Sequence, residues 1–233
     1  MTTVPIATEA FCWSCHAPHV GGHFCAACGK IQPLPRGADY FAFFGLPQKL
    51  WIDCAQLEQL FHQLSWKLHP DNFVCASEYE RELSLERSSQ LNDAYRALRD
   101  PIARVEYLLA SGGMREEGAA RQQAPPELLE EVFELNESLD DLRTARSRSL
   151  GTDGGKTAAL KQRLEAEEKK FEAKLGEVDE ELKRIAGEWD AALDAGADEA
   201  KRKALMARMN DVLNRRRYIR NLVANVQKEL AEA

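Results

Sequence analysis

The sequence predicts an all-α protein preceded by a small metal-bound module, and three observations carry that prediction. Apolar residues recur at helical spacing from Asp53 onward, no strand-like alternation persists, and four cysteines fall in two close pairs near the start. Charged residues make up 30% of the 233 residues and apolar residues 44%, with a net charge of −7. That acidity counts against broad nucleic-acid binding or adhesion to an anionic membrane. No apolar run is long enough to span a bilayer, and "MTTVPIATEAF" has no basic stretch followed by an apolar core. The expectation is a cytoplasmic protein whose six cysteines act as thiols or metal ligands rather than disulfides.

The cysteines come first. Cys12 and Cys15, then Cys25 and Cys28, form two C-x2-C pairs separated by a nine-residue spacer. A two-residue gap lets both sulfurs of a pair turn toward one ion, and two such knuckles complete a tetrahedral thiolate site. Gly29 follows the second pair, where positive φ helps the backbone turn. So small a segment buries too little apolar surface to fold alone, and the ion supplies the missing free energy. Structural zinc is the predicted occupant; an iron site of rubredoxin type uses the same spacing, and a redox dithiol is the other alternative. His16, His19 and His23 read as exposed loop residues, and Cys54 and Cys75 as plain thiols.

Composition divides the rest of the chain. The cysteine-bearing segment covers residues 1–36, short helical patterns fill 37–111, and a Gly- and Pro-bearing linker occupies 112–126. In the second segment, Asp53 with Gln56 resembles a capping box. Leu57, Leu60, Phe61, Leu64 and Leu68 then form one face, which Pro70 terminates. Ser77 with Glu80 opens the next helix, whose face carries Leu91, Ala94, Tyr95 and Leu98. The two helices should pair antiparallel, with His69, Pro70 and Asp71 exposed at the tip.

Residues 127–233 read as a bundle of three helices, broken at "GTDGGK" and near "DAGADEA". Pro125 and Pro126 with the acidic residues after them suit the first helix start. Its stripe is Leu128, Val132, Leu135, Leu139 and Leu142, with Leu129 and Phe133 about 120° away. The middle helix repeats Leu164, Phe171, Val178 and Ile185 every seven residues, with Leu175, Leu182 and Trp189 four residues after the last three, a coiled-coil-like seam. The last helix carries Leu205, Met209, Val212, Ile219, Val223, Val226 and Leu230, and Tyr218 falls off that stripe.

The succession "DYFAFFGLP", "LHPDNF" and "LNDAYRALRDPIARVEYLL" resembles a J-domain, more narrowly that of the HscB co-chaperones of iron–sulfur cluster assembly. The "CWSC…CAAC" module is similar to that of some HscB relatives. Two departures stand out: Asn72 occupies a place where many J-domains have lysine, and the middle C-terminal helix is longer than usual. The resemblance implies an L-shaped, non-enzymatic ATPase activator made of a zinc-ribbon-like module, a J-domain and a three-helix domain. Its partners would be an HscA- or DnaK-type chaperone, stimulated through His69, Pro70 and Asp71, and an IscU-type scaffold protein. For the scaffold, the resemblance implies contacts at Leu129, Phe133, Glu134, Glu137 and Tyr218. The rivals are a J-domain co-chaperone for another client and a zinc-ribbon nucleic-acid adaptor with a helical tail. Against the adaptor stand the net acidity and a first segment whose only Lys or Arg residues are Lys30 and Arg36.

Overall fold

The structure, a computed structural model, describes residues 10–19, 21–34, 38–114, 126–148 and 154–232. Pro125 and most of the predicted linker lie outside the described residues, as do the first residues of "GTDGGK". The described residues are overwhelmingly helical: α1 (Tyr40–Phe43), α2 (Cys54–Leu68), α3 (Glu78–Arg99), α4 (Pro101–Ser111), α5 (Leu129–Arg148), α6 (Gly154–Asp194) and α7 (Glu199–Glu232). Among the described residues, strand structure is confined to the cysteine segment. There β1 (Ala10–Phe11) pairs antiparallel with β2 (Pro18–His19), and Phe24 bridges Ile31. Ribbons this short leave no alternation for a sequence pattern to reveal.

The chain packs into two compact units, Met1–Gly112 with Trp189–Arg202, and Gly113–Glu188 with Lys203–Ala233. In the first, local chemistry fixes the helix ends. The Asp53 carboxylate accepts from the Ala55 and Gln56 amides and opens α2. Ser77 and Glu80 form a full capping box at the start of α3. Asp100 ends α3 and opens α4, accepting from the Ala103 amide, with Pro101 in the first turn where no N–H is needed. Helices α2 and α3 pack against each other through buried Leu57, Leu68, Leu91, Ala94 and Leu98, and Phe61 stacks on Tyr95 at 4.2 Å.

Two buried arginines organise this unit from positions that read as a polar face. Arg104, 3% exposed, donates from Nε to the Leu98 carbonyl at 2.7 Å and from Nη1 to the Leu50 carbonyl. Arg87, 1% exposed, donates to the Gln32 carbonyl and to Gln90. The stretch Trp189–Arg202 also belongs here. The Asp190 carboxylate accepts from the Leu50 and Trp51 amides at 2.7 and 2.8 Å, and the Trp189 indole donates to the Gln48 carbonyl.

The second unit holds α5, most of α6 and most of α7. All but Leu175 of the heptad seam is buried, and Leu175 and Leu230 are half-buried. Leu230 yields its place because Glu229, paired with Arg143 at 2.6 Å, takes the inward position. Ion pairs Lys174–Glu131, Arg216–Asp179 and Arg208–Glu188 tie the three helices along their length. We predict that Arg104→Met lowers the free energy of urea unfolding by about 2–4 kcal/mol, because two buried carbonyls lose their donor. An unchanged denaturation midpoint would show that water replaces the guanidinium.

Candidate metal centre and exposed loop

Each cysteine pair forms the same knuckle. The His16 amide donates to the Cys12 carbonyl and the Cys12 amide to the Ala17 carbonyl; thirteen residues on, Gly29 and Cys25 repeat both bonds with Cys25 and Lys30. Both turns require positive φ, at His16 (57°) and at Gly29 (73°). His16 adopts a region uncommon outside glycine, whereas Gly29 does so without strain.

The knuckles bring four sulfurs together within 4.8 Å of one another. Cys12 and Cys28 stand 3.6 Å apart, Cys15 and Cys25 3.8 Å. Sulfurs about 2.3 Å from a tetrahedral centre are separated by about 3.8 Å, so the cluster has the dimensions of a metal–tetrathiolate site. Its electrostatics agree. Burial pushes the Cys12 thiol up, but the amides of Cys15 and Ser14, aimed at its sulfur, bring it down to about 6. Cys28 is pulled down by the Lys30 amide, yet loss of water and the sulfurs of Cys15, Cys12 and Cys25 drive it up to about 12. Four thiolates at this spacing require a cation. The four cysteines are therefore positioned to bind one metal ion.

The site is joined to α3 through Gln32. Its amide Nε2 donates to the Cys12 sulfur at 3.3 Å and to the Lys30 carbonyl, while its own carbonyl accepts from Arg87. Lys30 pairs with Glu80 at 2.9 Å and holds that carboxyl below its usual range, and Trp13 meets Tyr79 edge-on. The histidines differ from expectation. His16 is exposed, but His19 is buried and His23 is half-buried, bonded to the Phe43 carbonyl at 2.9 Å. His23 packs because the module folds against the Phe43 turn, while His19 is buried in the β1–β2 ribbon. Cys54 and Cys75 are exposed free thiols.

The His69-Pro70-Asp71 loop joins α2 to α3 and lies beside the same N-terminal half of α3 that meets the metal module. His69 and Asp71 are exposed, and Pro70 opens a 3-10 turn, Pro70–Phe73, anchored by buried Phe73. The Asp71 amide donates to His69 Nδ1 at 3.3 Å, so in the neutral ring the proton sits on Nε2. Asn72 donates from its side chain to the Trp66 carbonyl at 2.6 Å. Trp66 (76% exposed) and Val74 (65%) flank the loop.

In the second unit, Leu129 (54% exposed) and Phe133 (73%) lie one turn apart on α5, with Glu134 and Glu137 also exposed and Tyr218 half-buried on α7. The ion pairs fix the register. Glu131 faces Lys174 and Arg216 faces Asp179, which puts Leu129 and Tyr218 within about one turn of the same level.

Among curated proteins, an HscB co-chaperone homologue of Vibrio atlanticus is 34% identical over 138 residues, covering 58% of this chain and 81% of the relative. Its counterpart in Bordetella avium is 35% identical over 140 residues, covering 60% and 79%. The chain belongs to the HscB co-chaperone family. The homologue of Vibrio parahaemolyticus is 41% identical over 104 residues, or 45% of this chain, and the match spans 61% of the relative's length. The crystal structure of human HscB matches with a TM-score of 0.60 over 94% of this chain and 98% of that one; at 23% identity it supports the fold. HscB of Vibrio cholerae matches with a TM-score of 0.53 and 28% identity, over 82% and 96%. No family model matches the chain. No described helix is long and apolar enough to cross a membrane.

Metal occupancy is directly testable. Cobalt(II) titrated into reduced, metal-free protein should bind one equivalent with the absorption of a tetrahedral tetrathiolate, and Cys25→Ser should abolish that spectrum. Binding that survives Cys25→Ser with an unchanged spectrum would place the ion elsewhere.

Proposed function

We propose that this HscB-family chain binds an IscU-type iron–sulfur scaffold protein and delivers it to an HscA- or DnaK-type chaperone, whose ATPase it stimulates. The observation that carries the reading is the exposed His69-Pro70-Asp71 loop at the tip of the α2–α3 hairpin. Pro70 narrows the conformations open to the loop, which lowers the ordering cost of docking. Asp71 offers a carboxylate to a partner arginine, where charge-assisted hydrogen bonds are strongest. His69 serves as a contact and orienting group. In this reading the chain acts on another protein's catalytic site and is not itself an enzyme, as suits a relative of co-chaperones.

The scaffold-binding surface in this reading is Leu129, Phe133, Glu134, Glu137 and Tyr218. Exposed Leu129 and Phe133 support it, since solvent-facing apolar anchors flanked by acidic groups suit a protein partner. The functional parts would be a metal module in 1–36, a J-domain in 37–111, a linker in 112–126 and the scaffold-binding domain in 127–233. Zinc is the proposed ion, in a structural role, because all four ligands are thiolates and a closed site leaves no position for substrate. The protein would work in the cytoplasm, with neither nucleic acid nor membrane as a partner.

Two substitution experiments separate the activities. His69→Ala or Asp71→Ala should abolish ATPase stimulation without changing the far-ultraviolet circular dichroism, because both side chains are exposed. Full stimulation by either variant would remove the loop from the mechanism. The Leu129/Phe133/Tyr218 triple alanine variant should lose about 2–4 kcal/mol of scaffold affinity at little cost in thermal stability. A large fall in melting temperature with unchanged affinity would instead make these residues part of the core.

A further inference from the structure

The last turn of a helix leaves carbonyls that its own amides cannot reach. The usual remedy is a backbone N–H from the residue just past the cap, bonded back to the carbonyl three positions inside the helix end. In α2 the cap is His69 and the next residue is Pro70, which has no N–H to give. The carbonyl that such a bond would reach is that of Trp66. It is taken instead by the Asn72 side-chain amide, at 2.6 Å.

The final carbonyl, that of Leu68, has a different solution. The Ser84 hydroxyl donates to it at 2.7 Å and the Ser88 hydroxyl at 2.9 Å. These serines are four residues apart on α3, hence on one face. A serine inside a helix ordinarily bonds back to the carbonyl four residues earlier in its own helix. Here both hydroxyls reach across to one carbonyl of the neighbouring helix, filling both of its lone-pair sites. Ser84 is fully buried, Ser88 is half-buried, and Leu68 is sealed from solvent. The atom they hold belongs to the peptide group leading into His69.

We propose that Ser84, Ser88 and Asn72 are positioning residues that fix the His69-Pro70-Asp71 loop in one geometry, replacing the cap that Pro70 forbids. This rests on reading that loop as the chaperone-docking element. Asn72 thus has a defined task where a lysine would supply charge. Freed of these bonds, the loop samples more conformations, and docking must order it. The cost falls on affinity, since the docked geometry, once reached, is the same.

The test compares the full chain with Ser84→Ala/Ser88→Ala, Ser88→Ala alone and Asn72→Ala. Backbone ¹⁵N relaxation should show order parameters at Asp71 and Asn72 falling from about 0.85 to below about 0.6 in the double variant, and part-way in the single ones. Buried positions such as Leu98 and Leu109 should not change. With a DnaK-type chaperone, the concentration giving half-maximal ATPase stimulation should rise about tenfold while the maximum is retained. Should the double variant fail to fold, the half-buried Ser88 and exposed Asn72 variants decide. Unchanged order parameters at Asp71 and Asn72 in every folded variant would overturn the proposal. A wild-type chain that stimulates no chaperone would refute the proposed function, and the relaxation comparison would still decide the positioning role.

Discussion

A helix that runs into a proline loses the backbone donor that would close its last turn, and in α2 that loss falls beside the exposed loop. Everything around the α2–α3 hairpin answers it. Serines at 84 and 88 turn inward to the Leu68 carbonyl, Asn72 folds back on Trp66, and Phe73 is buried behind the loop. The proline that makes the loop rigid also obliges α3 to supply hydroxyls, and hydroxyls inside a helix have value only where a carbonyl waits. Rigidity at His69 and Asp71 is therefore a property of two helices, not of three residues.

The same helix α3 joins this loop to the metal centre. Near its start, Glu80 caps the helix and takes Lys30, and two turns on, Arg87 grips the carbonyl of Gln32, whose amide touches the Cys12 sulfur. A metal held by the four thiolates would fix both knuckles, and Gln32, bonded to Cys12 and Arg87, would pass that order to α3. A buried guanidinium is costly to desolvate, and Arg87 is tolerated because the module provides its acceptor. Glu80, paired and below its usual range, adds stability that is present above the ordinary carboxyl value and lost as acid protonates it.

Much of this was legible in the sequence. The cysteine spacing located the cluster, since ligand geometry allows few separations. The apolar faces located α2, α3 and the long bundle helices, and the ordered J-domain motifs located the family. What the sequence hid has one physical form: polar side chains whose partners are distant in the chain. Arg87, Arg104, Ser84 and Ser88 look like a solvated face, and only the fold turns them to carbonyls at Gln32, Leu98, Leu50 and Leu68. Asp190, in a helix that otherwise reads as a long bundle element, caps amides of Leu50 and Trp51 for the same reason. The β1–β2 ribbon and the burial of His19 escaped notice because two-residue strands carry no period.

In the proposed function, a pre-ordered His69-Pro70-Asp71 loop is where this chain meets a chaperone ATPase. The direct measurement is a ¹H–¹⁵N spectrum of the labelled chain titrated with ATP-bound DnaK-type chaperone. Shifts or broadening should centre on His69, Asp71, Asn72 and the adjoining turn of α2, with α5 and the Tyr218 region of α7 unaffected. Perturbation confined to the bundle helices, with the loop resonances unmoved at saturation, would contradict it.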